Sequence, residues 1–364
     1  MENHESKQVT VLVVGASGFV GSHCIKQLLS LDYKVRGTVR KLSNTSKYNF
    51  LYDLVPSKKD NLEIVEADLV HKEIWPSVVS GCDYVLHIAF PFVLELLDSE
   101  PELSQASVMG VMNVLEAAFE AGVKKFVLAS TFTTMEIGNE NKVIDANCWA
   151  DEKKCNPYVI SKMKAEKAAL EFWRQHKDKI QVTIINSSHI FGPEFQKGVG
   201  ADCEDMIVSF MTNQWSVIPE VCWAVVDVRD VAEALIKAMT NPYSDGKRYI
   251  VSSSSIWLRD IFGILKAEFE MYGYEFPETE IGKYLMTIAS FWNQKLKSQL
   301  SESFTELKVD NTPSIDELGI QYRRPEDFLL ESVYNLIDLG VIPNRIHNPE
   351  IDKLVYDEKV HFDY

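Results

Sequence analysis

The chain has 364 residues, more than one hydrophobic core usually spans, so a large domain with a smaller lobe is expected. Hydrophobic residues at 46% and charged residues at 25% are ordinary globular values, while 37 Lys and Arg against 53 Asp and Glu leave a net charge of −16. That balance argues against nucleic acid or an anionic membrane as partner, yet local arginines can still hold a phosphate.

Met1 to Thr10 is polar, without the apolar core of a signal peptide, and no run approaches the roughly 20 apolar residues that span a bilayer. A cytoplasmic protein is expected. The six cysteines form no CxxC pair, so no zinc site is expected. Cys148 and Cys155 are close enough to pair, but free thiols fit a chain without a secretion signal.

Val11 to Val14 reads as a buried parallel strand that runs into Gly15-Ala16-Ser17-Gly18-Phe19-Val20-Gly21 and then a helical pattern through Leu29. Gly15 suits the tight turn, Gly18 the approach of backbone N–H groups to a pyrophosphate, and Gly21 close packing of helix on strand. The helix N-terminus that follows favours an anion. Further strands are predicted at Tyr33–Val39, Leu62–Asp68, Tyr84–Ala89, Lys125–Ser130, Val182–Asn186 and Tyr249–Val251, with helices at Val108–Ala121 and Lys162–His176. Apolar strands separated by helices predict an α/β fold with a doubly wound parallel sheet. Beyond Gly192-Pro193 the pattern loosens into a smaller lobe, with helical stretches at Leu258–Tyr272, Met286–Leu300, Asn311–Leu318 and Arg324–Gly340. The aromatics Phe291 and Trp292 read as lobe core. The grouping is therefore residues 9–190, with 225–255 returning, as a nucleotide-binding domain. Residues 191–224 and 256–342 form a substrate lobe, and 343–364 a charged tail.

In Asn156-Pro157-Tyr158-Val159-Ile160-Ser161-Lys162, Asn156 suits a helix N-cap and Pro157 the first helical position. Tyr158 and Lys162 then share one helical face. A phenol of ordinary pKa about 10 is a poor acid at neutral pH, and a neighbouring ammonium makes proton donation easier. That suits a general acid for a carbonyl that gains a hydride at carbon and a proton at oxygen. The hydroxyls of Ser130 and Thr131 emerge beyond a strand's carboxyl end, where either can hold the substrate oxygen. His87 reads as a strand end, and Asp227 and Asp230 as braces for loops and helix starts.

These motifs resemble the extended short-chain dehydrogenase/reductases, most closely the dihydroflavonol 4-reductase and cinnamoyl-CoA reductase branch. The resemblance also rests on Val35 to Arg40, Ala67-Asp68-Leu69, His87 to Pro91, Ile190 to Pro193 and Val226 to Ala232. It implies a Rossmann-type sheet, with Tyr158 as acid, Lys162 on the nicotinamide ribose, and Thr131 in the place of the family's catalytic serine. It further implies cofactor contacts from Gly15, Ser17, Gly18, Phe19, Val20, Gly21, Asp68, Leu69, Ala89 and Ser188, besides Tyr158 and Lys162. Three positions depart from the pattern: Thr131 adds a methyl, Phe90 replaces a small hydroxyl residue, and Ser187 replaces a proline. Phe90, Phe92, Ser130 and His189 are expected near the substrate, although a lone histidine such as His189 is more often a structural group. Val39 stands where NAD-specific relatives carry a carboxylate, and Arg36 and Arg40 flank it, so NADP(H) is the expected cofactor.

The resulting expectation is NADPH-dependent reduction of a ketone or aldehyde on a small to medium, partly apolar molecule, by a monomer or homodimer. A sugar-nucleotide epimerase or dehydratase is a rival, disfavoured by the acidic stretch from Pro193 to Ala224. A hydroxysteroid-type dehydrogenase remains open. So does a non-catalytic NADPH-binding sensor or scaffold, which Thr131 and Phe90 motivate.

Overall fold

The computed structural model describes residues 8–90, 100–289 and 304–346. Phe92, Phe291, Trp292 and most of the charged tail lie outside the described residues. The chain divides into two compact units. The first holds Met1–Ile190, Ala224–Ser254 and Leu307–Arg323, and the second Phe191–Trp223, Ser255–Glu306 and Arg324–Tyr364.

The first unit is built on a parallel sheet of seven strands: β1 (Thr10–Val14), β2 (Lys34–Val39), β3 (Leu62–Glu66), β4 (Tyr84–His87), β5 (Lys125–Thr131), β6 (Gln181–Ser187) and β7 (Arg248–Val251). Their order across the sheet is β7-β6-β5-β4-β1-β2-β3. Chain direction across the sheet therefore reverses between β1 and β4, and in open α/β sheets ligands bind beyond the carboxyl ends at such a reversal. The four helices used below are α1 (Phe19–Ser30), α2 (Glu100–Glu120), α3 (Pro157–His176) and α4 (Val228–Thr240). Helices α1 and α4 cover one face and α2 and α3 the other. The buried strand residues alternate accordingly: Val11 and Val13 join the core beneath α1, while Leu12 and Val14 join the opposite one.

Segment Leu307–Arg323 corrects the grouping read from the sequence, because it belongs to the first unit and not to the lobe. Lys308–Val309 pairs in parallel with Val143–Ile144, and the Asn311 amide donates to the Ser252 carbonyl at 2.7 Å. Leu318 and Ile320 bury in the core beneath α1, and Arg323 pairs with the buried carboxylate of Asp230. These long-range partners carry no local sequence signal. Asp227 caps α4 by accepting from the Arg229 N–H, so both aspartates brace structure, as expected.

Across the first unit runs one buried ionic knot. Glu166 on α3 is fully buried, and one of its oxygens accepts from Ser130 at the end of β5, Thr134 and Asn186 of β6. Its other oxygen accepts Arg248 Nε at 3.0 Å from β7. Arg248 also donates to the carbonyls of Ala146 and Cys148, and its guanidinium lies 3.7 Å from the Trp149 ring centroid. A buried charge left alone is costly, whereas apolar replacement of both partners is often tolerated. Arg248→Met is therefore expected to lower stability by about 3–5 kcal/mol, and the double variant with Glu166→Leu by much less. Chemical denaturation of the three proteins checks this.

The second unit packs Phe210, from helix Ala201–Met211, against Phe262 at 5.0 Å, Trp215 at 5.7 Å and Trp223 at 6.3 Å between ring centroids. Phe262 lies on helix Leu258–Phe269, close to the helix read from the sequence. Within the same unit Ile218–Pro219 pairs with Glu280–Ile281, and the Glu194 N–H donates to Asn335 on helix Pro325–Asp338. Among the described residues no helix is long and apolar enough to cross a membrane. None of the six cysteines, all among the described residues, is joined in a disulfide.

Glu194 is 4% exposed, and burial pushes its pKa up to about 7, against the pull of the Gly200 and Val199 N–H groups. An acid whose folded pKa is raised binds its proton more tightly in the native state. Stability therefore falls as pH rises from about 4.5 to about 7. Glu194→Gln is expected to raise the thermal midpoint at pH values above that window, with the gain vanishing below it. Melting curves across pH test the sign.

Candidate active site

The cofactor end is built from backbone. Gly15 adopts φ +92°, and a Cβ there would lie 3.0 Å from Ala89. Its N–H donates to the Thr38 hydroxyl at 3.0 Å and the Ala16 N–H to the Thr38 carbonyl at 3.1 Å, which tie the turn to β2. At Gly21 a Cβ would meet the Gly15 carbonyl oxygen at 2.0 Å, so α1 can start this close to β1 only with glycine there. Gly18 is different. A Cβ there would meet only the Gly15 oxygen at 3.5 Å, an ordinary contact, so packing within the chain does not require glycine at this position. Gly18 is the N-cap of α1 with no side-chain cap, and no acidic residue stands in the first turn. Helix N-terminal N–H groups that lack a capping side chain, with a bare Cα beside them, form a cradle for a diphosphate. Ser17, Phe19 and Val20 line this loop, all partly exposed.

Ala89 lies beside Gly15 and its N–H donates to the Val14 carbonyl, and Leu69, in the turn that follows β3, buries in the same core as Val14. Asp68 accepts the Val70 N–H at 3.2 Å, and the Asn113 amide of α2 holds the Leu69 carbonyl at 2.8 Å. Asn113 escaped sequence reading because nothing nearby marks a helical asparagine as the prop of a distant turn.

The arginine pair does not act together. Leu12 of β1 is in register with Arg36, which sets that residue mid-strand and away from the carboxyl edge. Its guanidinium donates to Glu63 at 2.7 Å and to the carbonyls of Val78 at 2.8 Å and Ser80 at 2.9 Å. The expectation that Arg36 binds a 2′-phosphate is corrected on that ground. Arg40, by contrast, is exposed immediately after β2, with exposed Lys41 beside it.

The reactive end is built on α3. Asn156 caps it by accepting the Val159 N–H at 2.9 Å, Pro157 takes the first turn, and Tyr158 and Lys162 follow as the sequence predicts. Lys162 Nζ lies 6.0 Å from the centroid of the Tyr158 ring and 4.2 Å from that of Phe90. Phe90 and Tyr158 meet edge to face at 5.4 Å. Burial pushes the Lys162 ammonium down to about 8, opposed by the Glu166 carboxylate one helical turn away. His87 at the end of β4 is fully buried, with neither ring nitrogen hydrogen-bonded, and stacks on Phe126. Burial, and then the charge of Lys162, hold its pKa down to about 3, so it is neutral.

Thr131 ends β5 partly exposed, its hydroxyl 3.0 Å from that of Thr133. Ser130 is buried and bonded to Glu166, whereas the adjacent Thr131 is partly exposed. Thr133 was not singled out from the sequence. Ser188 is also buried, with its N–H on the Val251 carbonyl, and the His189 ring bonds the Ala224 carbonyl at 3.2 Å. Among the described residues no three or more His, Cys, Asp or Glu side chains converge as a metal site.

Residues 11–252 match the NAD dependent epimerase/dehydratase family. Cinnamoyl-CoA reductase 1 of Petunia hybrida is 30% identical over 341 residues, covering 92% of this chain and 93% of that protein. The NADPH-dependent methylglyoxal reductase GRE2 of Saccharomyces cerevisiae is 30% identical, over 84% of this chain and 97% of its own. The crystal structure of Gre2 from Candida albicans in complex with NADPH superposes with a TM-score of 0.74 at 27% identity, covering 91% of this chain and 99% of that one.

If Arg40 holds a 2′-phosphate, Arg40→Ala should weaken NADPH binding about 10- to 100-fold, the worth of a charge-assisted hydrogen bond, with little effect on NADH. Arg36→Ala should lower stability and leave the preference between the two nucleotides unchanged. Fluorescence titration of both variants with both nucleotides decides it.

Proposed function

Because this chain belongs to the NAD dependent epimerase/dehydratase family, in its extended short-chain dehydrogenase/reductase branch, we propose that it is an NADPH-dependent reductase of a ketone or aldehyde carbonyl. The observation that carries the reading is the Tyr158–Lys162 pair on the first turns of α3, with the ammonium nitrogen 6.0 Å from the centre of the phenol ring. The named activities of the relatives, reduction of cinnamoyl-CoA and of methylglyoxal, support a carbonyl substrate. The Gly15–Gly21 cradle fits a dinucleotide diphosphate, and the uncapped start of α1 supplies its donors. NADPH, when bound, supplies the hydride to the carbonyl carbon.

Every other part falls to this chain. Lys162 donates to the ribose hydroxyls of the nicotinamide half and, as a nearby cation, favours the phenolate left after proton transfer. Tyr158 delivers its proton to the carbonyl oxygen as that oxygen gains charge. Thr131 donates a hydrogen bond to the same oxygen and fixes its direction. Phe90 gives the reacting group an apolar neighbour, which suits a partly apolar substrate. The epimerase chemistry of other family members is disfavoured, since the stretch from Pro193 to Ala224 offers a sugar diphosphate one lysine, Lys197, among acids.

Tyr158→Phe removes only the proton and is expected to lower kcat for reduction by about 10²- to 10⁴-fold, with NADPH affinity within a few-fold of the parent. NADPH oxidation with a panel of aldehydes and ketones, beside a binding titration, makes the measurement. Undiminished turnover in Tyr158→Phe sinks the reading. Tight NADPH binding by the parent without oxidation across the panel would favour a non-catalytic sensor.

A further inference from the structure

Phe90 is a position at which this chain departs from the family it resembles, where a small hydroxyl residue is usual, and its ring touches both members of the catalytic pair. The Lys162 ammonium nitrogen is 4.2 Å from the centroid of that ring, nearer than the 6.0 Å to the ring of Tyr158. The Phe90 and Tyr158 rings cross at 72° with centroids 5.4 Å apart, the edge-to-face arrangement that aromatic pairs prefer. A cation over an aromatic face is drawn by the ring quadrupole, and more strongly once desolvated. Among the described residues three titratable groups act on or beside the ammonium. Glu166 on α3 favours its charge, His87 on β4 stays neutral beside it, and Tyr158 is its partner. Glu166 divides its own charge with Arg248, so it is not a counter-ion for the lysine alone.

We propose that Phe90 is a positioning residue whose ring holds the Lys162 side chain in its charged form, beside Tyr158, before any ligand arrives. A small hydroxyl residue in its place would offer the ammonium no ring face. The consequence for turnover rests on the reductase reading, whereas the effect on the lysine rests on the contact geometry alone. Two substitutions separate the ring from its bulk. Phe90→Leu keeps the site apolar and removes the quadrupole. Phe90→Tyr keeps a ring.

The full chain, labelled with ¹³C at lysine Cε, is titrated by NMR, with the Lys162 signal identified by its loss in Lys162→Met. In Phe90→Leu the Lys162 midpoint is expected to fall by about half a unit to one and a half units, and in Phe90→Tyr to stay at the parental value. The alkaline limb of kcat/KM for carbonyl reduction should move to lower pH in Phe90→Leu and be restored in Phe90→Tyr, because a neutral lysine no longer assists the phenol. An unmoved Lys162 midpoint in Phe90→Leu, or an equal fall in Phe90→Tyr, overturns the proposal. A shifted midpoint in a chain that reduces no carbonyl supports the ring contact and overturns the reductase reading instead.

Discussion

The carboxylate of Glu166 is the point through which the reactive end of the molecule is held. It sits on the same helix as Tyr158 and Lys162, one turn beyond the lysine, and is fully buried. Its partners come from β5, β6, β7 and the short helix Thr133–Glu136. Each bond fixes α3 in rotation as well as in distance, since a carboxylate with several directed donors has one comfortable orientation. An apolar contact would hold the helix at a similar distance and let it roll. The polar knot thus settles where the phenol and the ammonium point, and its cost in desolvation is offset only while every partner stays in place.

At the other end orientation is set by the absence of side chains. Gly21 lets α1 begin against the Gly15 carbonyl, and Gly15 takes a conformation that side chains rarely adopt while Ala89 passes close by. These contacts bring the ends of β1 and β4 together at the reversal of strand order. The Thr38 hydroxyl and carbonyl then tie the turn to β2. Both devices place polar groups at the carboxyl edge of one sheet, the first by buried charge and the second by bare backbone.

Much of this was legible in the sequence because it is local. The strand runs are apolar and short, and their observed bounds differ from the predicted ones by a residue or two. Asn156-Pro157 marks a helix start in chemical terms, and the start lies there. Helix α2 begins at Glu100, well before the predicted Val108, because its first turn, with Pro101 and acids at 100 and 102, resembles a loop. Those acids suit the positive end of a helix. What stayed hidden depends on register. Arg36 and Arg40 look equivalent in the sequence, but pairing of Leu12 with Arg36 strands the former among Glu63 and two carbonyls. Glu166 left a faint trace as the next polar residue on the face of Tyr158 and Lys162, and Asn186 as a polar break in an apolar strand. Neither could be linked to Arg248 without the sheet order. Leu307–Arg323 was assigned to the lobe because its anchors, Asp230, Ser252 and Val143–Ile144, are far away in the chain.

The charges buried around α3 act on one another most strongly. Lys162 and Arg248 are cations, Glu166 is an anion, and His87 is kept neutral by its surroundings. The ammonium of Lys162 lies 6.0 Å from the centre of the phenol ring. Desolvation acts against its charge, as the lowered lysine shows, and is opposed by the share of Glu166 that Arg248 leaves and by the face of Phe90. A cation at that place suits a proton donor, because the product of donation is a phenolate beside it. A second carboxylate at this point would neutralise the ammonium and remove its influence on Tyr158, whereas an aromatic ring stabilises the cation without cancelling its field. That difference gives a physical reason for an uncharged ring, and not another acid, to stand at position 90.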